Sequence, residues 1–371
     1  MNQKIAIAIE SFWGGGAELF AINLANALSR TKGYQVFFFE VYPERASSKK
    51  HIELIDESIE IIHVEKVSGW AVNFKSKFRK VIRLLKREGI GIVHSHSWDS
   101  DLFFAEVKEK YSNFKLINTM HGHYEFLKDR RFSFQQSTAK ILRNMDFSVY
   151  LSNTHRQTLS YYDFPLNRIR RIFNGIPEMK VDPDFEVNDR VKLCLVSRAI
   201  PEKGWKIAIE TVIDLCDNDG LNIELHIVGE GPILNELMEA YAHHAIIFHG
   251  FLKDVSLVLK ESDIGILPSY YSAESQPTSI VEYLFCGLAV IASDIGAVKE
   301  MITYNDQLAG QILLLTNGKP ERNDLKSAIK NYTGNNDLLS IHKKMALSAA
   351  KKFEMLFCVE EYHDLYYSIT K

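Results

Sequence analysis

Residues 5–9, Ile-Ala-Ile-Ala-Ile, lead into the turn Trp13-Gly14-Gly15-Gly16-Ala17-Glu18, and an apolar pattern through Leu19, Ile22 and Leu28 follows at helical spacing. A short β-branched run, a glycine turn and an amphipathic helix make one strand-turn-helix unit. Further runs of the same kind stand at residues 36–39, 61–64, 90–94, 116–120 and 147–151, with helical patterns between them. A second series occupies residues 193–197, 225–228, 246–248, 264–267 and 289–292. Strands that alternate with helices build parallel sheets. The expected fold class is therefore α/β, with two doubly wound, Rossmann-like domains facing across a cleft.

The expected domains are residues 1–175 and 176–352, joined by an acidic, proline-bearing connection at 174–190 where a hinge belongs. The last pattern, residues 353–371, is aromatic and amphipathic, and its periodicity fits a helix that caps the second domain or one that returns to the first.

Composition supports this size of molecule. With 46% hydrophobic and 25% charged residues, 371 residues suffice for two cores, and a disordered or fibrous class is excluded. The cysteines Cys194, Cys216, Cys286 and Cys358 form no CxxC pair, so neither a zinc knuckle nor a redox dithiol is expected. A reducing, cytoplasmic location fits that usage. The apolar start is too short for a secretory signal, and no apolar run approaches the roughly 18–20 residues that cross a bilayer. Any membrane contact is expected to be peripheral. Charge is uneven: residues 1–175 hold 26 Lys and Arg against 18 Asp and Glu, and the remainder holds 18 against 29. The two halves therefore face different partners.

Four stretches carry chemistry. The glycines at 14–16 sit between strand and helix, where their amides can approach a phosphate or a polar acceptor; the same residues also suit a plain tight turn. A histidine, His121, ends the fifth run and precedes Gly122. Arg198 closes the run at 193–197, and Lys203 with Gly204 opens the next helix, so two cations meet one strand end. Such charge would stabilise a departing diphosphate. The strongest signal is residues 272–283, Ser-Ala-Glu-Ser-Gln-Pro-Thr-Ser-Ile-Val-Glu-Tyr. Pro277 suits the first turn of a helix and Thr278 or Ser279 its cap, which places Glu274 before the helix and Glu282 inside it. Glu274 could then accept from sugar hydroxyls, free helix amides could bind phosphate, and Glu282 could grip a ribose diol.

In this order the pieces resemble the retaining glycosyltransferases of the GT-B fold, in particular the family-four group. The resemblance spans nearly the whole chain. It rests on Gly15 to Glu18, His121-Gly122, Asn174-Gly175-Ile176-Pro177, Ser197-Arg198 with Lys203-Gly204, Val228-Gly229-Glu230-Gly231-Pro232, His249-Gly250-Phe251, and Glu274 with Glu282. It implies that His121, Arg198, Lys203 and Glu274 are the catalytic set. It also implies donor contacts from Gly15 and Gly16, from the backbone around Gly229, Gly231, Gly250 and Phe251 to the base, and from Thr278, Ser279 and Glu282. Departures stand at Ser275-Gln276, after the first glutamate, and at Tyr283, where the family usually has alanine.

The implied partners are a nucleotide sugar donor, by family habit a UDP-sugar, and a saccharide or lipid-linked acceptor. No cofactor is expected, the nucleotide sugar being a substrate. No metal is expected either: Asp99-Ser100-Asp101 imitates a metal-binding DxD but lies in the first half, away from the two cations that would serve the diphosphate. Lys75, Lys77, Arg79, Lys80, Arg83, Lys86 and Arg87 share a helix with Phe74, Phe78, Val81 and Leu85; with Lys128, Arg130, Arg131, Lys140 and Arg143 they form a basic surface suited to anionic lipid. A solvated outer helix is the simpler reading of the same residues. The base-stacking pattern of a nucleic-acid-binding sheet is absent. The histidines His94, His96, His123 and His155 read as packing or surface residues. A sugar-nucleotide epimerase and a non-catalytic membrane scaffold on the same fold remain alternatives.

Overall fold

The computed structural model describes residues 3–12, 15–45, 51–64, 73–122, 132–177 and 189–371. Trp13, Gly14, His123, Lys128, Arg130 and Arg131 lie outside these residues, as do most of the connection between the domains and the side chains of Phe74 and Lys75. The chain divides into two compact units, Met1–Pro177 with Lys352–Lys371, and Glu178–Lys351.

The strands of the first unit are β1 (Lys4–Ile9), β2 (Gln35–Glu40), β3 (Glu60–His63), β4 (Ile92–Ser95), β5 (Lys115–Thr119), β6 (Phe147–Tyr150) and β7 (Ile169–Arg171). Helices α1 (Gly16–Lys32), α2 (Asn73–Glu88), α3 (Trp98–Lys108), α4 (Phe132–Asn144) and α5 (Asn153–Tyr161) alternate with them. All pairings are parallel, in the order β3-β2-β1-β4-β5-β6-β7. Helices cover both faces, so the inner strands are apolar throughout rather than alternating. Ile5, Ile7 and Ile9 enter one core layer with Phe20, Leu24 and Leu28 of α1. Ala6 and Ala8 enter the other, with Phe78, Val81 and Leu85 of α2 and Phe103 and Phe104 of α3. β7 is not marked in the sequence because Ile-Arg-Arg has no apolar run; it is an edge strand, where charge blocks further pairing.

In the second unit the strands are β8 (Val191–Val196), β9 (Ile223–Val228), β10 (Ile246–Gly250), β11 (Ile264–Leu267) and β12 (Ala289–Ser293). A short antiparallel pair, β13 (Thr303–Tyr304) and β14 (Gln307–Leu308), then leads to β15 (Gly310–Leu313). The parallel sheet has the order β10-β9-β8-β11-β12-β15. Its edge β15 is likewise unmarked in the sequence, being a four-residue strand that opens on glycine. Helices α6 (Trp205–Asp217), α7 (Leu234–Ala240), α8 (Ser256–Leu259), α9 (Thr278–Phe285), α10 (Val298–Ile302), α11 (Arg322–Thr333) and α12 (Asn336–Ala350) accompany it. Its core gathers Leu193, Leu195, Leu225, Ile227, Ile264 and Ile266 with Trp205.

The last helix, α13 (Met355–Thr370), belongs to the first unit. Its entry is pinned by the backbone: Ile176 N–H donates to the Phe353 carbonyl at 2.9 Å and Met355 N–H to the Ile176 carbonyl at 3.1 Å. Gly175 permits this approach, since a Cβ there would lie 2.8 Å from the Cys358 Cβ. Met355, Cys358, Val359, Tyr362, Leu365 and Tyr366 then fill the layer under α1.

In both sheets the chain winds outward one way from a central strand and then the other. The order reverses between β1 and β4, and between β8 and β11. Loops leaving the carboxyl ends of strands on either side of such a reversal diverge, and the space between them is where open α/β sheets take ligands.

Candidate functional site

At the reversal of the second sheet, the loop after β8 carries Ser197, Arg198 and Lys203, and the loop after β11 carries Tyr271 and Glu274. The two loops are tied together. Tyr270 N–H donates to the Glu202 carbonyl at 2.7 Å, and Ser269 Oγ donates to the same carbonyl at 3.2 Å. Gly204 allows the contact: its φ is +75°, and a Cβ would lie 2.1 Å from the Pro268 carbonyl oxygen.

Lys203 Nζ and Glu274 Oε2 form an ion pair between these loops, with only 10% and 9% of the side chains exposed. Ser269 Oγ lies 3.2 Å from Oε2 as well. The other carboxylate oxygen of Glu274 has no hydrogen-bond partner among the described residues. Tyr271 presents its ring to both cations, 5.1 Å from Lys203 Nζ and 5.5 Å from the Arg198 guanidinium carbon. Arg198 makes no ion pair among the described residues. Two positive groups, one half-used carboxylate and an aromatic face are thus gathered where two neighbouring strands, β8 and β11, end. Tyr271 is a site residue that the sequence does not single out; its only signal is its position between the end of β11 and Glu274.

Helix α9 starts beside this cluster in sequence. Its cap differs from the expectation: Pro277 is the N-cap residue, Thr278 and Ser279 are the first helical positions, and no side chain caps the helix. The first-turn amides are left without a capping side chain, and an uncapped amino terminus favours anions. Thr278 is exposed and Ser279 is buried. Gly296 packs against the segment before the helix, where a Cβ would lie 2.4 Å from the Glu274 carbonyl oxygen. One turn inside α9, burial pushes the Glu282 carboxyl up to about 7. It therefore titrates near neutrality.

Gly229 and Gly231 hold the loop after β9 against the loop after β8. A Cβ on Gly229 would lie 1.9 Å from the Ser197 carbonyl oxygen, and one on Gly231 2.4 Å from that of Ala199. Ala199 N–H donates to the Glu230 carbonyl at 2.8 Å, and Gly229 N–H to the Gly250 carbonyl at 2.8 Å. The strand ends carrying Arg198, Gly229 and Gly250 are thereby consecutive. Phe251, next to Gly250, is exposed. Before it on β10 starts a row of side chains: His249 Nε2 to His226 Nδ1 at 2.9 Å, and His226 Nε2 to Glu224 Oε1 at 3.0 Å. Burial and the neighbouring His226 lower the His249 pKa.

The remaining expected site residues, Gly15, Gly16 and His121, lie in the first unit. Gly15 is the N-cap of α1, and nothing stands within 4 Å of a Cβ built on Gly16. The approach to this turn is anchored by the buried Glu40, which accepts from Ser11 Oγ at 3.1 Å and Phe12 N–H at 3.2 Å. His121 follows β5, near His96 at the end of β4. The two carboxylates of the DxD-like stretch have separate partners: Asp99 pairs with Arg45 at 2.9 Å, and the fully buried Asp101 accepts from Ser95 and Asn118. On α2, the apolar positions Phe78, Val81 and Leu85 are spent in the core, leaving Arg79, Lys80, Arg83, Lys86 and Arg87 outward.

Two doubly wound parallel-sheet units of this kind define the GT-B fold of glycosyltransferases. A "Glycosyltransferase Family 4" model matches residues 14–179 and a "Glycosyl transferases group 1" model residues 190–333, which together take in most of the chain. The chain belongs to the family-four-like glycosyltransferases of the GT-B fold. It is 24% identical over 375 residues to the capsular polysaccharide biosynthesis glycosyltransferase CapH of Staphylococcus aureus, covering 96% of each chain. It is 23% identical over 317 residues to the Escherichia coli UDP-Gal:alpha-D-GlcNAc-diphosphoundecaprenol alpha-1,3-galactosyltransferase, covering 76% of this chain and 77% of that one. Among solved structures, Anabaena HepE in complex with UDP matches with a TM-score of 0.78 at 16% identity, over 99% of this chain and 100% of that one.

Proposed function

We propose that this glycosyltransferase moves a sugar from a UDP-sugar to a saccharide or lipid-linked acceptor, with retention at the anomeric carbon, in the synthesis of a cell-surface polysaccharide or lipopolysaccharide. The observation that carries the reading is the grouping of Arg198, Lys203, Tyr271 and Glu274 at the reversal of the second sheet, in the chain segment that continues into the uncapped start of α9. The UDP-bound relative in structure and the UDP-galactose-dependent relative in sequence support the nucleotide. CapH supports a polysaccharide product.

In this mechanism the bond from the anomeric carbon to the diphosphate oxygen breaks, and the acceptor hydroxyl oxygen bonds to that carbon on the same face. The acceptor proton passes to the departing phosphate oxygen. Arg198 and the N–H groups of Lys203 not held by Glu274 neutralise the charge that grows on the diphosphate, and no metal is required. The open oxygen of Glu274 accepts from sugar hydroxyls, and Glu282 accepts from the ribose diol. Thr278 and Ser279 offer first-turn amides. Gly15, Gly16 and His121 are the first unit's own candidates for contact with substrate.

Incubation with UDP-sugars and lipid-linked saccharide acceptors, with chelator present, tests this reading. NMR of the product is expected to show the anomeric configuration of the donor. Epimerised donor without acceptor would favour an epimerase, and no turnover of any donor a non-catalytic scaffold.

The outward basic face of α2 supports contact with an anionic membrane at the cytoplasmic face. Because Phe78, Val81 and Leu85 are buried, adsorption would be electrostatic and salt-sensitive, with each basic residue near the surface worth about 1 kcal/mol. Cosedimentation with phosphatidylglycerol vesicles, and not with phosphatidylcholine, is expected. Equal binding to both would remove this part of the reading.

A further inference from the structure

His94 and His96 read in the sequence as packing residues, and both are buried. Strand alternation gives them more to do. Side chains two apart share a face, so Ile92, His94 and His96 leave β4 on one side, and Ile117, Thr119 and His121 leave β5 on the same side. Ile92 and Ile117 lie in the layer under α1 and α13. The polar side chains therefore continue that layer toward the strand ends.

They form a connected row. Tyr366 of α13 meets His94 Nδ1 at 2.7 Å, and His94 Nε2 meets Thr119 Oγ1 at 2.8 Å. Thr119 Oγ1 meets Tyr362 at 2.7 Å. The His94 and His96 ring centroids are 4.1 Å apart, and Phe20 of α1 stands edge-on to His96 at 5.6 Å. His96 Nδ1 meets His121 Nε2 at 3.4 Å. His96 Nε2 is buried and has no hydrogen-bond partner among the described residues.

That last atom decides the direction of the contact. Burial holds His121 down at about 3 and His96 well below its ordinary value, so both rings are neutral at neutral pH, each with one N–H and one lone pair. If His121 were the donor, His96 would carry its hydrogen on Nε2, a buried N–H with no acceptor. If His96 is the donor, only a lone pair is left bare, the less costly of the two arrangements.

We propose that His96 is a positioning residue that sets the tautomer of His121: His96 Nδ1–H donates to His121 Nε2, which leaves His121 with its hydrogen on Nδ1. His121 then has no free lone pair. Resting on the transferase reading, this assigns His121 as a neutral hydrogen-bond donor to a substrate oxygen, and excludes it as a general base. The tyrosines of α13 hold His94, and His94 backs His96, so the returning helix sets the geometry of the row.

The test is the ring nitrogen pattern of the full chain labelled with 15N-histidine, in long-range proton–nitrogen spectra at neutral pH, assigned through His121→Asn and His96→Asn. His121 is expected to show a bare Nε2 and a protonated Nδ1, the reverse of the form that predominates in free histidine. In His96→Leu it should revert to Nε2–H. In His96→Asn, whose amide nitrogen can stand in for Nδ1, the wild-type pattern should persist. The kcat of sugar transfer should fall in His96→Leu by the roughly three- to tenfold that one neutral hydrogen bond is worth, and recover in His96→Asn. Nε2–H at His121 in the wild type, or an unchanged pattern in His96→Leu, overturns the proposal. If His96→Leu does not fold, the wild-type and His96→Asn spectra decide it. The spectra need no substrate, so a correct tautomer in a chain that transfers no sugar would reject the proposed function and leave the assignment of His96 standing.

Discussion

The ring of Tyr283 fills the space that a side chain at Gly265 would need: a Cβ on Gly265 would lie 2.2 Å from the Tyr283 Cδ2. β8 and β11 pair only at Leu193 with Ile264 and at Cys194 with Gly265. Beyond that point the Tyr283 hydroxyl bridges the diverging strands, accepting from Val196 N–H at 2.8 Å and donating to the Ile266 carbonyl at 3.2 Å. The glycine on β11 makes room for this tyrosine. These are the two strands whose ends carry Arg198 and Tyr271.

Gly265→Ala is expected to destabilise the protein by about 1–3 kcal/mol through overpacking. Tyr283→Phe should cost about 1–3 kcal/mol, because it leaves the Val196 amide unpaired. In Gly265→Ala with Tyr283→Ala the clashing ring is gone, so the loss should be smaller than the losses of Gly265→Ala and Tyr283→Ala combined. Urea unfolding of these variants and the wild type measures this, and strict additivity would contradict the contact.

Glu282 gives a pH dependence with a defined sign. Its carboxyl titrates at about 7 because burial disfavours the charged form. A diol donating to it favours the carboxylate and lowers that pKa in the complex, so binding weakens as pH falls through about 7. Calorimetric titration with a UDP-sugar, whose diphosphate does not titrate there, should show affinity falling from about pH 8 to about pH 6, and Glu282→Gln should flatten the trend. An equal pH slope in the variant would sever Glu282 from the ribose.

Lys203 and Glu274 separate stability from function. Lys203→Met leaves a buried carboxylate without its cation and should cost about 3–5 kcal/mol. Lys203→Met with Glu274→Gln should regain most of that stability, since a neutral pair needs no compensation. Transfer activity should stay lost in the double variant. Restored activity would mean that the pair serves the fold alone.

Much of this was legible in the sequence. Inner strands of a covered parallel sheet are unbroken apolar runs, so residues 5–9 and 193–196 announced themselves, and glycines at strand ends marked the loops that come together. Edges were not legible, because β7 is charged and β15 is short. The placement of α13 depends on Gly175 and on backbone bonds to Ile176, which periodicity does not encode. Tyr271 and His96 escaped for a different reason: an uncharged ring gains its role from neighbours far along the chain, Arg198 and Lys203 for one, His121 for the other.

The most direct test of the account is calorimetric binding of UDP, GDP and ADP to the wild type and to Arg198→Ala in the stable Lys203→Met, Glu274→Gln background. A strand end that holds a diphosphate with two cations should lose at least about tenfold in affinity per charged hydrogen bond removed, for whichever nucleotide binds the wild type. Unchanged dissociation constants in the folded variant would show that the diphosphate is held elsewhere.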